Sequence, residues 1–311
     1  MWFAPSLGGN ADSRTVFRLD LVKEGFNSRS SLQSHRGILS GDTPLLKIGK
    51  DVRIHETARV NVDDGVIGDR SVVGPNVTIE GRCIRIGREA WINQYAQIGG
   101  GSCFDPGSSL EVGDFLHMGK FSFLNQARGI SIGHEFGCGI ATRVFTHGSY
   151  ESAWDGFPVQ WGGVTIGDRV WLPYALVNPG VRIGSNVVVA SMSVVTNDLP
   201  SGCFAGGVPC RVIRPGIYPR ELSPEEKRHL FEGIFQDARA ILLSRIPRLK
   251  EVPSYTVLDD ETYKVQDTVI DIRTRRIEGP STEFTEVLKN QLRRNGIRFR
   301  YYNNDGFYVK W

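Results

Sequence analysis

The chain has 311 residues, a formal net charge of +3, 40% hydrophobic and 23% charged residues, and five cysteines. That length admits one large domain or two, and so small a charge excludes a broad basic field for nucleic acid or an acidic membrane. No stretch approaches about eighteen uncharged apolar residues, so a helical membrane span is excluded.

From the N-terminus, Met1-Trp2-Phe3-Ala4-Pro5 lacks the basic start and apolar run of a secretory signal. An odd number of cysteines without paired short spacing points to reduced thiols in a cytoplasmic protein. Residues 1–41 are rich in Ser, Gly and Arg, as in Asn27-Ser28-Arg29-Ser30-Ser31, and show no period. They read as an arm that leads into and covers the first coil of a periodic region beginning near residue 42.

Between residues 42 and 214 seven aliphatic residues that precede glycine serve as starts of a repeat: Ile48, Ile67, Ile86, Val112, Ile132, Ile166 and Ile183. Steps of six and twelve from these starts reach fourteen further positions, of which thirteen are apolar; only Asn178 is not. The overall composition of 40% would give about five or six. A step of six fits neither a helix nor a plain strand, but it fits a coil with three equivalent sides. The expected fold is therefore mainly β: a triangular β-solenoid of about seven coils, its aliphatic rows filling the prism. Glycine at the corner is expected for backbone conformations that a Cβ would hinder. At about 4.8 Å per coil the prism is roughly 33 Å long. Cys138 falls on an inward row, as core filler.

The starts are spaced 19, 19, 26, 20, 34 and 17 residues apart, against 18 for three sixes. The excess places insertions near residues 99–106 and 147–163. Insertions in a solenoid emerge as loops on one face, often the binding face.

From about residue 215 the six-step vanishes. Ser223-Pro224-Glu225-Glu226 is a helix N-terminus, followed by a stripe of Leu230, Phe231, Ile234, Ala238, Ile241 and Leu242. A strand is expected over Thr268–Ile272, a helix over Thr282–Asn295 ended by Gly296, and a hairpin across Ile297–Trp311 turning at Asn303-Asn304-Asp305-Gly306. Residues 215–311 thus read as a small α+β domain whose role the sequence does not reveal.

Val164-Thr165-Ile166-Gly167-Asp168-Arg169-Val170-Trp171-Leu172, then Asn178-Pro179-Gly180-Val181 and Ser193-Val194-Val195-Thr196, resemble the hexapeptide-repeat acyltransferases. The closing run Ala205-Gly206-Gly207-Val208-Pro209-Cys210-Arg211-Val212-Ile213-Arg214 narrows the resemblance to the maltose/galactoside and capsular-polysaccharide O-acetyltransferase group. The resemblance covers roughly residues 45–214. It implies a left-handed parallel β-helix, a homotrimer with sites between neighbouring prisms, acetyl-CoA as acyl donor, a sugar hydroxyl as acceptor, and no metal.

The resemblance also assigns residues. His147, in Phe145-Thr146-His147-Gly148-Ser149 where the last regular strand runs into the long insertion, stands at the place of the general base. An imidazole suits that role near neutral pH. Glu151 and Asp155 lie near enough in sequence to orient its ring, although exposed loops carry such charges anyway. Asn125 matches an asparagine beside the acceptor hydroxyl; a polar corner residue also caps turns. Trp171 matches a tryptophan that positions substrates beside the histidine, and Trp161 is the insertion aromatic best placed to meet a sugar ring or a neighbouring subunit. Coenzyme A is expected along the last coils at Tyr174, Ser191, Ala205 and Gly206. Arg211 and Arg214 would meet its phosphates through their guanidinium forks. Two departures stand out: Asn197 replaces a basic residue, and Pro173-Tyr174 replaces a small pair, which narrows the expected groove.

Two other readings stay open on the sequence, and a third is excluded by spacing. The same base and donor serve N-acetylation of an amino sugar or its nucleotide-linked form. A solenoid without activity serves as a binding scaffold. Zinc binding of the β-helix carbonic anhydrase kind needs close histidine pairs, whereas His55, His117, His134 and His147 are 62, 17 and 13 apart.

Overall fold

The computed structural model describes residues 26–27, 45–246 and 253–299. It divides into two compact units, Met1–Pro219 and Arg220–Trp311.

The first unit is a parallel β-solenoid of about eight turns. Its first face stacks Arg53–His55, Val72–Val73, Trp91–Ile92, His117–Met118, Gly137–Cys138, Trp171–Leu172, Val188–Val189 and Phe204–Gly207 in parallel register. Inward residues stack on inward residues. Ile54, Val73 and Ile92 are register partners, as are Met118, Cys138 and Leu172. The second face carries the row from Val60 and Ile79 through Leu124 and Val144, and the third carries Ile67, Ile86, Val112, Ile132, Ile166 and Ile183. Nearly all of these side chains are fully buried, each contributing about 1.5–3 kcal/mol of apolar transfer.

The eighth turn escaped the sequence count because Leu199, the third-face partner of Ile183, is followed by Pro200 and not by glycine. The odd position Asn178 is also resolved. Val177 occupies the inward place, opposite Val144, and Asn178 lies one step beyond. The corner at Pro173-Tyr174 is one residue shorter than its counterparts, which also accounts for the interval of 17.

The corner glycines require a different explanation from the one expected. None of the seven has a positive φ; the left-handed residues are Asp51, Arg70, Glu89, Phe115, Glu135, Arg169 and Asn186, each two positions further on. Glycine is there for space. A Cβ on Gly68 would lie 2.5 Å from the carbonyl carbon of Gly87, and one on Gly87 would lie 2.6 Å from that of Gly113. Successive corners stack backbone on backbone.

Strands Arg59–Ile67 and Thr78–Ile86 run nine residues around the second corner and join two faces into one sheet. In the next coil the first insertion interrupts that path, between Gln97–Ile98 and Leu110–Val112. Of the N-terminal arm, Phe26–Asn27 pairs antiparallel with Ile54–His55 of the first coil; the rest lies outside the described residues.

In the second unit, helix α1 (Pro224–Arg245) opens on a capping box: Ser223 Oγ accepts from the Glu226 N–H, and the Glu226 carboxylate accepts from the Ser223 N–H. It buries Phe231, Ile234, Phe235, Ala238 and Leu242. Leu230, expected on that stripe, is exposed, and Phe235 replaces it. Helix α2 (Glu283–Arg294) is capped by Thr282 and buries Phe284, Val287, Leu288 and Leu292. Both helices contribute to a core shared with an antiparallel sheet of Tyr255–Val257, Thr262–Val265, Thr268–Asp271 and Arg276–Glu278. Only the third strand was foreseen. The expected C-terminal hairpin lies, from residue 300 on, outside the described residues. Among the described residues no helix is long and apolar enough to cross a membrane.

Gly87→Ala is expected to destabilise the solenoid by about 1–3 kcal/mol, the usual cost of overpacking. Gly233→Ala, in α1 with open space at the Cβ position, is expected to stabilise by about 0.4–1 kcal/mol. Urea unfolding measures both, and a neutral Gly87→Ala would refute the stacking explanation.

Candidate active site

Coil-on-coil register builds this site. Phe123–Asn125 and Arg143–Phe145 are adjacent parallel strands, with Asn125 opposite Phe145. Two residues later His147 starts a small hairpin in which His147–Gly148 pairs antiparallel with Gln160–Trp161. The hairpin turns through Ala153–Asp155, capped by Ser152 and ended by Gly156 at φ 83. The chain rejoins the solenoid where the Gly162 N–H donates to Thr146 O (2.9 Å) and that of Val164 to Gly129 O (3.0 Å). His147 and Trp161 face each other across this ladder. Their rings stack at 4.8 Å between centroids and 15° between planes.

Asn125 is 2% exposed, and both ends of its amide are engaged. Its Nδ2 donates to Gly99 O (3.1 Å) and Gly101 O (3.4 Å), so Oδ1 is turned towards His147 Nδ1 at 2.8 Å. A carbonyl oxygen only accepts. Nδ1 therefore carries a proton, and in the neutral ring the lone pair is on Nε2. Nε2 lies on the side of the first insertion: a Cβ on Gly101 would stand 4.0 Å from it. Both insertions meet at this ring.

The glycine run 99–101 makes the arrangement possible. Gly99 and Gly100 have φ of +135 and +98, conformations open to glycine alone among ordinary residues, and a Cβ on Gly100 would lie 2.9 Å from Asn125 Nδ2. Three consecutive glycines inside an expected insertion were the legible trace of this cradle. Thr146 completes it: buried, it donates through Oγ1 to Asn125 O (2.7 Å) and accepts from the Arg128 N–H (2.9 Å).

The other expected residues separate into groups. Glu151 and Asp155 are exposed on the hairpin, and the ring nitrogen they were candidates to hold is bonded to Asn125. Asn125 spends its amide on the ring and the glycine carbonyls. Trp171 lies on the first face, over Gly137, where a Cβ would come within 2.6 Å of its ring. The aromatic stacked on His147 is Trp161.

Tyr174 and Ser191 are exposed at the corners of later coils. Ala205 is buried, and its carbonyl accepts from the Ala190 N–H (2.8 Å). Gly206 is required by the Ala190 methyl, 2.8 Å from where its Cβ would be. Arg211 and Arg214 lie on Cys210–Arg214, which folds back antiparallel on Phe204–Gly207. Residues three apart on a regular strand face opposite ways. Here a register shift between Phe204 and Ala205 pairs Arg211 with Gly206 and Arg214 with Phe204, bringing both arginines to one face.

All five cysteines are free. Burial pushes the Cys138 thiol up to about 11 and raises that of Cys103, in the first insertion, so neither is a ready thiolate. Among the described residues no group of three or more His, Cys, Asp or Glu could hold a metal ion.

Residues 163–197 match the family described as bacterial transferase hexapeptide (six repeats). The chain is similar to the hexapeptide-repeat transferases. It is 43% identical over 70 residues to a galactoside O-acetyltransferase of Escherichia coli (strain K12), covering 22% of this chain and 32% of that one. It is 36% identical over 76 residues to a chloramphenicol acetyltransferase of Klebsiella aerogenes, covering 24% and 36%. The chain thus spans about a third of the length of these relatives. A solved maltose O-acetyltransferase from Clostridium difficile 630 is 25% identical with a TM-score of 0.30, covering 46% of this chain and 67% of that one.

Asn125→Ala removes the acceptor that fixes the ring. His147, held as the Nδ1–H form in the native protein, is expected to become a mixture of tautomers, read from its ring nitrogen shifts by NMR. An unchanged tautomer would show that Asn125 does not set it.

Proposed function

We propose that this protein is an acetyl-CoA-dependent O-acetyltransferase acting on a sugar hydroxyl, with His147 as general base. One observation carries the reading: Asn125, locked by the Gly99 and Gly101 carbonyls, holds His147 Nδ1–H, the tautomer whose lone pair is on Nε2. A base must offer a lone pair at a fixed place.

Nε2 takes the proton of the acceptor hydroxyl as its oxygen attacks the thioester carbonyl. The tetrahedral oxyanion needs a hydrogen-bond donor. It then collapses, the carbon–sulfur bond breaks, and the imidazolium returns the proton to the departing coenzyme A thiolate. The products are an acetyl ester and free coenzyme A. No covalent enzyme intermediate is required, which agrees with the raised thiols of Cys103 and Cys138.

The donor would lie along the last coils. Tyr174 and Ser191 border the pantetheine beside Ala205 and Gly206, and Arg211 and Arg214 together face the phosphates. Tyr174 follows the histidine strand by one coil and the others by two or more, and Trp171 occupies another face. That separation supports a homotrimer in which a neighbouring copy completes each site. The exposed aromatics of the hairpin, Trp161 first, would meet the acceptor ring. Galactoside and chloramphenicol, named for two relatives, are dissimilar acceptors, so the donor half of the site is the shared part. Free cysteines suit a reducing compartment such as the cytoplasm, where sugar units are assembled into surface polysaccharide.

His147→Ala is expected to lower turnover by at least about 100-fold while acetyl-CoA still binds; near-normal turnover would overturn the assignment. Arg214→Ala should raise the KM for acetyl-CoA and leave that for the acceptor largely unchanged, and equal losses in both would refute its phosphate role. A free-thiol assay over sugars, amino sugars and sugar nucleotides tests the acceptor class. Release of coenzyme A with amino sugars alone would replace O-acetylation by N-acetylation.

A further inference from the structure

We propose that Arg128 is a positioning residue that fixes Trp161 against His147 by tying both insertions to the strand that carries the histidine. Its catalytic consequence rests on the acetyl-transfer reading; the contact itself does not.

Arg128 sits three residues beyond Asn125, where the chain leaves the second face. Its backbone N–H donates to Thr146 Oγ1 at 2.9 Å, and the same hydroxyl donates to Asn125 O at 2.7 Å. One buried oxygen thus couples the Asn125–Arg128 turn to the residue before the histidine. The side chain is held just as closely. Nη1 donates to Ala127 O at 2.8 Å and stands 3.7 Å from the Asp105 carboxylate of the first insertion. The guanidinium carbon then lies 4.3 Å from the centroid of the Trp161 ring. That indole also carries the imidazole of His147.

Trp161 needs such a restraint. Residues 150–161 of the hairpin are all exposed, Tyr150 and Trp154 almost fully. Beyond the two-residue ladder, ties at the return of the hairpin include Gly162 N–H to Thr146 O (2.9 Å), Gly180 N–H to Gly162 O (3.1 Å) and Gln160 Nε2 to Pro179 O (3.1 Å). All of these hold backbone or a neighbour, and none holds the indole. A cation over an aromatic face attracts through the ring quadrupole. Arginine adds a flat surface that stacks, which lysine lacks. An indole free to swing would leave the imidazole without support on that face, and Asn125 fixes its plane at only one atom.

The test compares Arg128→Met, which keeps the apolar stem and removes the fork, with Arg128→Lys, Trp161→Ala and the double variant Arg128→Met/Trp161→Ala. In the native protein the stacked indole shifts the His147 ring C–H signals upfield by its ring current; comparison with His147→Gln assigns them. Trp161→Ala should abolish that shift, Arg128→Met should reduce it by at least about half, and Arg128→Lys should lie between Arg128→Met and the native protein. Turnover should fall about 10-fold in Arg128→Met with the KM for acetyl-CoA within about 2-fold, as expected for lost alignment without lost binding. Arg128→Met should cost nothing further once Trp161 is alanine. Unchanged His147 signals in Arg128→Met overturn the proposal, as does a double variant whose loss equals the product of the single losses. If Arg128→Met fails to fold by circular dichroism, Arg128→Lys decides: native signals and native turnover overturn it, and an intermediate shift supports it. If no acceptor is acetylated by the native protein, the ring signals still decide the contact, and only the acetyl-transfer reading fails.

Discussion

The constraint on which everything else depends is the spacing of one coil upon the next. Parallel ladders hold successive turns at about 4.8 Å, and at one corner the stacking is so close that only glycine fits, as Gly68 over Gly87 shows. Rigid register then turns sequence position into spatial position. Because Asn125 lies opposite Phe145, the residue two beyond Phe145 emerges beside the residue that ends the previous strand. His147 meets Asn125 by this arithmetic.

The site is built where that regularity is broken. Each insertion leaves the prism at a corner and supplies what a coil lacks. The first supplies carbonyls, turned inward by two glycines in unusual conformations, and these absorb both hydrogens of the Asn125 amide. The second supplies the imidazole and an indole to stack on it. Neither insertion suffices alone. A free asparagine amide can flip and present either donor or acceptor to a histidine. One clamped by two carbonyls presents only oxygen, and the proton on the imidazole is thereby assigned to Nδ1. The cradle converts backbone geometry into the choice of a tautomer.

Much of this was legible in the sequence, and the failures have physical causes. The rows of aliphatic residues, the two insertions and the position of His147 at a strand end were all readable, since a period of six leaves few alternatives. Counting in sixes failed at Asn178 because Pro173-Tyr174 shortens a corner, and an offset of one moves the inward place to Val177. It failed again at Leu199, which fills an inward place without the glycine mark. The glycines were recognised for a conformational reason, whereas their cause is contact between coils, which a single coil's sequence does not express. Trp171 drew attention through its motif, yet Trp161 is the ring on the histidine, because a hairpin ladder with no period decides that pairing. In the second unit the capping signals of both helices were clear. Strands Tyr255–Val257 and Arg276–Glu278 have three residues each, too few to show alternation, and Phe235 takes the place expected for Leu230 because an amphipathic stripe blurs at its edges.

The homotrimer proposed above would answer a limit set by the geometry of one chain. Here the histidine projects from an insertion on one side, while Trp171 lies on the first face and the paired arginines on the closing strand of the same sheet. Bringing these together within one chain would require bending the prism, which packed aliphatic rows resist. Laying a second prism alongside costs no internal distortion. Each copy would then contribute the residues that the other cannot reach. The hairpin, exposed along its length and rich in aromatic rings, is the part of the chain whose surface such an arrangement would cover.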